Sequence, residues 1–185
     1  MRQLLLLRHA KSSWDEGSAS DHARPLNARG RRAADAMAAQ MRDLGLAPEV
    51  VLCSSSRRTL QTLEALQPLE DAPMVEVMDA LYLAPWPALL EVLNKVPDTA
   101  RSVLLIAHNP GLHDFGLALT GPAAAGAPLV QRLAEDYPTG ALAEFAVAAP
   151  WQELRAGGGR LVRFLRPRDL PMGDLPAGGP PETSA

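Results

Sequence analysis

The sequence predicts an α/β fold: a three-layer sandwich in which helices cover both faces of a mostly parallel central sheet. Three short apolar runs, at residues 3–7, 50–54 and 102–108, predict buried strands. Each run is continuously apolar instead of alternating, which is typical of strands that are covered on both faces. Helical patterns separate the runs, and the order strand, helix, strand, helix is that of an α/β sheet.

The first helical pattern lies between the first two strands. Ala33, Met37 and Met41 recur at helical spacing and form one apolar face. Asn27 suits the N-cap position, and Gly45 suits the end of the helix. The stretch therefore predicts an amphipathic helix.

Further elements follow the second strand. The serines at 54–56 can cap a helix that carries Leu60, Leu63 and Leu66, and residues 85–96 predict another helix that begins near a proline. The runs 141–149 and 159–167 predict two strands, an antiparallel pair at a sheet edge.

Length and composition predict a single domain. The 185 residues, 47% of them hydrophobic, suffice for one core, which we assign to residues 1–167. Residues 168–185 are rich in proline and glycine and poor in apolar residues, which is typical of a tail that does not bury itself.

Charge and apolar content exclude several partners. A formal charge of −3 and a pI near 5.8 provide no basic field for nucleic acid. The lone Cys53 excludes an intramolecular disulfide. The first apolar run is shorter than the ~7–15 residues of a signal peptide, and no stretch reaches the ~18 that would span a membrane. We therefore expect a cytoplasmic protein with no nucleic-acid or membrane partner.

Basic residues follow the predicted strands. Arg8 and His9 come directly after the first strand, His108 ends the third, and the second leads into Arg57 and Arg58. Ligands bind at the carboxyl ends of strands in sheets of this kind. Guanidinium groups are forked donors for phosphate oxygens, and histidine can attack phosphorus. The pattern predicts an anion site that contains a nucleophile.

The segment after the third strand is predicted to add a helix amino end to this site. Asn109 can cap a helix whose first residue is Pro110, with free N–H groups beside His108. The spacing of five between His108 and His113 does not match the i, i+4 pair of a zinc site, so no metal is predicted.

Five stretches resemble one known family. LLLLRHAKSS resembles the Arg-His-Gly signature of the histidine phosphatase superfamily, with its phosphoglycerate mutase-like fold, and is most similar to the small phosphohistidine phosphatase (SixA-like) branch. DHARPLNARG, VVLCSSSRRTLQT, DALYLAP and VLLIAHNPGL agree in the same order. The resemblance implies that His9 is the phosphorylated nucleophile, that Arg8, Arg58 and His108 hold the phosphoryl oxygens, and that no cofactor is needed.

One departure from the superfamily pattern concerns the proton donor. Many members place a glutamate just after the leucine of the segment that reads DALYLAP here, where Tyr82 and Leu83 stand. Asp79 is near without matching, and Asp21 is a further candidate. The missing acid favours a phosphoramidate substrate, because imidazole leaves more easily than an alcohol, or another substrate that needs little help from an acid. The short connection between Arg58 and His108 predicts an open site.

Together these observations predict a cofactor-free hydrolase that removes phosphate through a phosphohistidine intermediate on a neutral His9. The preferred substrate is phosphohistidine in a protein, such as a histidine phosphocarrier in signal transduction. Two alternatives stay open: a small-molecule phosphomonoesterase on the same scaffold, with a small phosphorylated substrate, and a phosphate- or phosphoprotein-binding module without turnover.

Overall fold

The computed structural model describes residues 1–14 and 20–171, and these residues form one six-stranded sheet. The strands are β1 (Arg2–Arg8), β2 (Val50–Ser54), β3 (Met74–Met78), β4 (Ser102–Ala107), β5 (Leu142–Val147) and β6 (Gly159–Leu165). They lie in the order β3-β2-β4-β1-β5-β6. The first four in this order are mutually parallel, whereas β5 and β6 are antiparallel to their neighbours. The predicted mostly parallel sheet and its antiparallel edge pair are confirmed.

Helices cover both faces of this sheet. They are α1 (Ala28–Asp43), α2 (Arg57–Ala65), α3 (Trp86–Leu93), α4 (Gly111–Thr120) and α5 (Pro128–Glu135). Alternate residues of the strands point to opposite faces, so Leu5 and Leu7 pack with α1 and α2. Leu4 and Leu6 pack with α3, α4 and α5 on the other face. The predicted three-layer sandwich is confirmed.

Predicted caps fix the ends of the helices near the site. The Asn27 side chain accepts a hydrogen bond from the Gly30 N–H and caps α1, and Ser56 accepts one from the Thr59 N–H and caps α2. Gly45 follows α1 with a φ of +64°, a conformation that glycine adopts without a steric cost. Helix α1 therefore begins and ends where the sequence predicts, and α2 begins where predicted, although Leu66 is its C-cap residue and not part of the helix.

The predicted cap of α4 is wrong. Pro110 occupies the N-cap position and the helix begins at Gly111, not at Pro110. The Asn109 amide nitrogen donates instead to the Tyr137 carbonyl, 2.9 Å away. Asn109 thus connects the end of β4 to the segment that precedes β5.

Two elements were not predicted from the sequence. Strand β3 lies at the sheet edge, and its Met74, Val75 and Val77 are exposed, so it lacks the pattern of a buried strand. Helix α5 follows a turn that begins with Pro122 and packs against α4. Neither element carries a residue of the predicted site.

The C-terminal end of the described chain stays packed beyond the predicted boundary at residue 167. Leu170 is buried against the α1 side of the sheet, together with Leu165. The rest of the predicted tail, 172–185, lies outside the described residues, so the division into domain and tail stays a prediction. No helix among the described residues is long and apolar enough to span a membrane.

Candidate active site

The two histidines leave the sheet side by side. Arg8 of β1 pairs in register with Ala107 of β4, so the residues that follow, His9 and His108, lie at the same sheet edge. The His9 N–H donates to the Ala107 carbonyl at 3.2 Å. The two ring centroids are 5.2 Å apart and the ring planes are inclined by 52°. Both residues are buried.

Arg58 enters the same space from the first turn of α2. It is only 3% exposed, and its Nη2 lies 3.4 Å from His108 Nδ1. Thr62, one turn later, connects this helix to the backbone just after His9. Its hydroxyl donates to the Arg58 carbonyl at 2.7 Å and accepts from the Ala10 N–H at 3.0 Å.

Arg8 approaches from the end of β1. Its Nη1 donates to the Tyr137 carbonyl at 2.9 Å, while its Nε is buried and has no hydrogen-bond partner in the described part of the chain. Burial lowers the pKa of the Arg8 guanidinium, because it disfavours the positive charge, and a bound anion would offset that cost. Arg8, His9, Arg58 and His108 all line one cavity of about 610 Å³.

The protonation state of His9 follows from its backbone contact. Its Nδ1 lies 2.7 Å from the Ala10 carbonyl oxygen. A carbonyl can only accept, so Nδ1 carries the proton and Nε2 has a free lone pair. Burial, and secondarily the neighbouring His108, Arg58 and Arg8, lower the pKa of His9 to about 3. The ring is neutral at physiological pH and can act as a nucleophile.

His108 has the opposite tautomer. Its Nδ1 faces the Arg58 guanidinium, which can only donate, so Nδ1 accepts. Its Nε2 therefore carries the proton, and this N–H donates to the Ser54 hydroxyl oxygen at 2.7 Å. Burial, followed by the charge of Arg58, lowers the pKa of His108 to about 3.

Asp21 completes the surroundings of Arg58. Its carboxylate accepts hydrogen bonds from the Tyr82 hydroxyl, from Arg24 Nη1 at 2.8 Å and from Arg58 Nη2 at 3.1 Å. The bond from Tyr82, supported by both arginines, lowers the pKa of Asp21. Asp21 is thus an ionised acceptor and not a proton donor near neutral pH.

The sequence does not indicate Tyr82 as a site residue and indicates Asp21 only as a candidate proton donor. The edge of the Tyr82 ring faces His108, with centroids 5.4 Å apart. Since Asp21 and Tyr82 are 61 positions apart, only the folded chain brings them together. The signal available in the sequence was that both lie in stretches that match the family.

Metal and thiol chemistry find no support in the described residues. No cluster of three or more histidine, cysteine, aspartate or glutamate side chains there could hold a metal ion. Cys53 is buried in β2, and burial raises the pKa of its thiol to about 12. A thiolate nucleophile is therefore not available at this position.

Comparison with known proteins identifies the family. Residues 4–82 match the model of the histidine phosphatase superfamily (branch 1). An uncharacterised protein of Mycobacterium tuberculosis is 34% identical over 162 residues, which is 88% of this chain and 100% of that protein. This chain belongs to the histidine phosphatase superfamily. The prediction made from its five motifs is confirmed.

Solved structures of histidine phosphatases give the branch. A candidate phosphohistidine phosphatase SixA from Nakamurella multipartitia matches with a TM-score of 0.80 and 29% identity, over 90% of this chain and 96% of that one. The protein histidine phosphatase SixA in complex with tungstate matches with a TM-score of 0.73 and 25% identity, over 90% and 98%. The chain has the phosphoglycerate mutase-like fold and is SixA-like. Family and neighbours support a phosphatase.

Proposed function

We propose that the protein hydrolyses protein phosphohistidine through a phosphohistidine intermediate on His9. The observation that carries this proposal is the state of His9: a buried neutral ring whose Nδ1 proton is held by the Ala10 carbonyl at 2.7 Å and whose Nε2 is free. A neutral imidazole of fixed orientation is what an in-line attack on phosphorus requires. His108, Arg58 and Arg8 would surround the transferred group with donors.

Two displacement steps complete the reaction. In the first, His9 Nε2 attacks phosphorus, and the phosphorus–nitrogen bond of the substrate breaks. The electron pair of that bond goes to the leaving imidazole, which takes a proton from solvent. In the second, water attacks phosphorus, the bond to Nε2 breaks, and a water proton is released. Because Nδ1 keeps its proton in between, the phosphorylated ring is cationic, which makes it a good leaving group.

The charge state of Asp21 supports phosphohistidine over a phosphate ester. An alcohol leaving group needs a proton donor, whereas imidazole leaves at a lower cost. Among the described residues, Asp21 supplies the carboxylate that lines the cavity. Hydrogen bonds from Tyr82, Arg24 and Arg58 lower the pKa of this carboxylate and keep it ionised. A similar solved structure is that of a protein histidine phosphatase, which supports the same choice, and its bound tungstate, a tetrahedral oxyanion like phosphate, supports a phosphoryl site.

The test measures phosphate release together with labelling of the enzyme. We expect rapid release from phosphohistidine, slow release from an alkyl phosphate, and acid-labile label on His9 after quenching. His9→Gln should abolish both, while Arg58→Ala should lower kcat/KM by ~10²–10³-fold, the usual loss for one donor to developing charge. His113→Gln, on α4 and away from the cavity lining, is the matched control.

The same measurements separate the alternatives. Faster turnover of the alkyl phosphate than of phosphohistidine would favour a small-molecule phosphomonoesterase. Phosphate binding without label and without release would favour a binding module. Label that persists in His9→Gln would overturn the assignment of the nucleophile.

A further inference from the structure

The cavity carries more positive charge than one phosphoryl group needs. Among the described residues, six cationic side chains and one carboxylate, Asp21, line it. The cations are Arg8, Lys11, Arg24, Arg29, Arg58 and Arg168. The chain as a whole has a net charge of −3. Positive charge is therefore concentrated at this one opening.

Arg8 and Arg58 belong to the phosphoryl site, and Arg24 is paired with Asp21. We call the other three cations, Lys11, Arg29 and Arg168, the cationic rim. Lys11 and Arg29 are exposed, and neither forms an ion pair with residues 1–14 or 20–171. Arg168 is 58% exposed and makes one long ion pair with Asp136, at 3.5 Å. The rim is open to an external anion.

Two apolar side chains lie beside the rim. Trp14 is 80% exposed, yet its ring is stacked on the Arg24 guanidinium, whose carbon lies 3.4 Å from the ring centroid. Arg24 is itself fixed by the Ser13 carbonyl at 2.9 Å and by Asp21 at 2.8 Å. Leu83, also a lining residue, is 53% exposed. An exposed tryptophan held in place by arginine is typical of protein interfaces.

We propose that the cationic rim, with Trp14 and Leu83, is a docking surface for an acidic protein. The substrate site on this acidic protein would be a phosphohistidine flanked by aspartate and glutamate side chains. This inference rests on the proposed function, because it assumes that the phosphoryl group enters between His9 and His108. The cationic rim would then align the acidic side chains that flank the phosphohistidine. Trp14 and Leu83 would cover apolar surface of the substrate protein around the phosphorylated side chain.

The geometry favours a macromolecule over a small polyanion. A site for a small molecule normally encloses most of its ligand. Here seven of the 17 described lining residues carry a charge, and the side chains of Trp14, Leu83 and the cationic rim are exposed to solvent. Charge complementarity at an exposed rim mainly increases association rates and selectivity among partners.

The experiment compares two phosphohistidine peptides of equal length, one flanked by Asp and Glu and the other by Asn and Gln. We expect the wild-type protein to prefer the acidic peptide by about 10-fold in kcat/KM at low salt, as a few exposed charge pairs would give. The preference should decline as salt rises from about 0.02 M to about 0.5 M, because the Debye length shortens.

Charge-reversal variants show which side chains produce the preference for the acidic peptide. Lys11→Glu, Arg29→Glu and Arg168→Glu should each reduce the preference for the acidic peptide, and the triple variant should remove it. Arg155→Glu is the matched control: Arg155 is an exposed arginine in the loop before β6, at the opposite end of the sheet, and its reversal should keep the preference. Because the salt dependence of the preference is measured on the wild-type protein alone, the proposal stays testable if a variant does not fold.

A binding arm separates failure of the rim from failure of the proposed function. In His9→Ala, the acidic phosphopeptide should bind about 10-fold more tightly than the neutral one, whether or not wild type turns it over. Equal kcat/KM and equal affinity for the two peptides would overturn the docking surface and leave the chemistry intact. Absence of turnover and of label on His9 would overturn the proposed function alone. A small bisphosphate that is hydrolysed faster than both peptides, with the same salt and rim dependence, would replace the acidic protein as occupant.

Discussion

The Ser54 hydroxyl lies where it can control the proton of His108. In the structure His108 Nε2 donates to Ser54, which leaves Nδ1 as an acceptor beside Arg58. To hold a phosphoryl oxygen, Nδ1 must carry a proton instead. A hydroxyl can both donate and accept, so Ser54 can satisfy Nε2 in either tautomer. Ser54 is thus a positioning residue that acts through His108.

Ser54→Ala tests this role. The change leaves His108 Nε2 without its partner in a buried place, at a cost of ~1–3 kcal/mol, so we expect kcat/KM to fall roughly 10-fold. Ser55→Ala is the control, because Ser55 contacts His22 instead, at 2.9 Å. A structural role alone would lower the unfolding free energy without moving the pH profile of kcat/KM, whereas loss of tautomer control should move it. An unchanged kcat/KM and pH profile would contradict the assignment.

His9 should stay neutral well below the pH at which an ordinary histidine titrates. An imidazole in water has a pKa near 6.5, whereas burial holds that of His9 at about 3. We therefore expect the ¹⁵N resonances of His9 to report the Nδ1–H tautomer from pH 8 to about pH 5, with assignment from His9→Gln. Protonation of the ring with a midpoint near 6.5 would contradict the proposed role of His9 as the nucleophile.

At the scale of secondary structure, the sequence predicts best the elements that bury most. Strands β1, β2 and β4 are continuously apolar because helices cover both their faces, and the caps Asn27 and Ser56 mark helix starts by local chemistry. Strand β3 was not predicted because it lies at the sheet edge. Side chains such as Val75 stay exposed there, and the strand lacks the continuously apolar pattern of a buried strand. Its place depends on pairing with β2, which no local pattern encodes.

The features of the site also divide into those that the sequence predicts and those that depend on how distant segments pack. Arg8, His9 and His108 are predictable because they follow strands that end at one sheet edge. The bonds from Tyr82 and Arg58 to Asp21 are not, because they depend on how two loops pack over that edge. The Asn109 cap failed for a related reason, since the Tyr137 carbonyl comes from a distant segment.

Gly111 shows how closely α4 packs against the loop that carries Tyr82. A Cβ atom at this position would lie 1.9 Å from the Ala84 carbonyl oxygen, which is backbone and cannot turn aside. We expect Gly111→Ala to lower the unfolding free energy by ~1–3 kcal/mol or more, as overpacking does, and to displace His108. Gly126→Ala is the control, since a Cβ there meets nothing within 4 Å. Equal denaturant midpoints for the two variants would contradict this packing.

Over the whole molecule, the site is built at the expense of stability at low pH. The chain places two neutral histidines, His9 and His108, beside Arg8 and Arg58 and keeps the two rings largely out of water. Each has a folded-state pKa of about 3, against an ordinary value of 6.5. Between these values the unfolded chain binds more protons than the native one, so acid favours unfolding. The ionised Asp21, with its lowered pKa, adds to the loss as pH falls below its ordinary value of 3.8.

The free energy of unfolding should therefore fall as pH decreases from 6.5 towards 3, and both histidines should contribute to the slope. One proton bound only by the unfolded chain gives about 1.4 kcal/mol per pH unit. His9→Gln and His108→Gln should each make the slope smaller by up to that amount in urea titrations between about pH 6 and pH 4, whereas His113→Gln controls for loss of a histidine elsewhere. A slope unchanged in both cavity variants would show that these rings protonate equally in the folded and unfolded states. Added phosphate should raise the unfolding free energy of wild type in the same window and less so in Arg58→Ala, because an anion between the rings binds only the native chain.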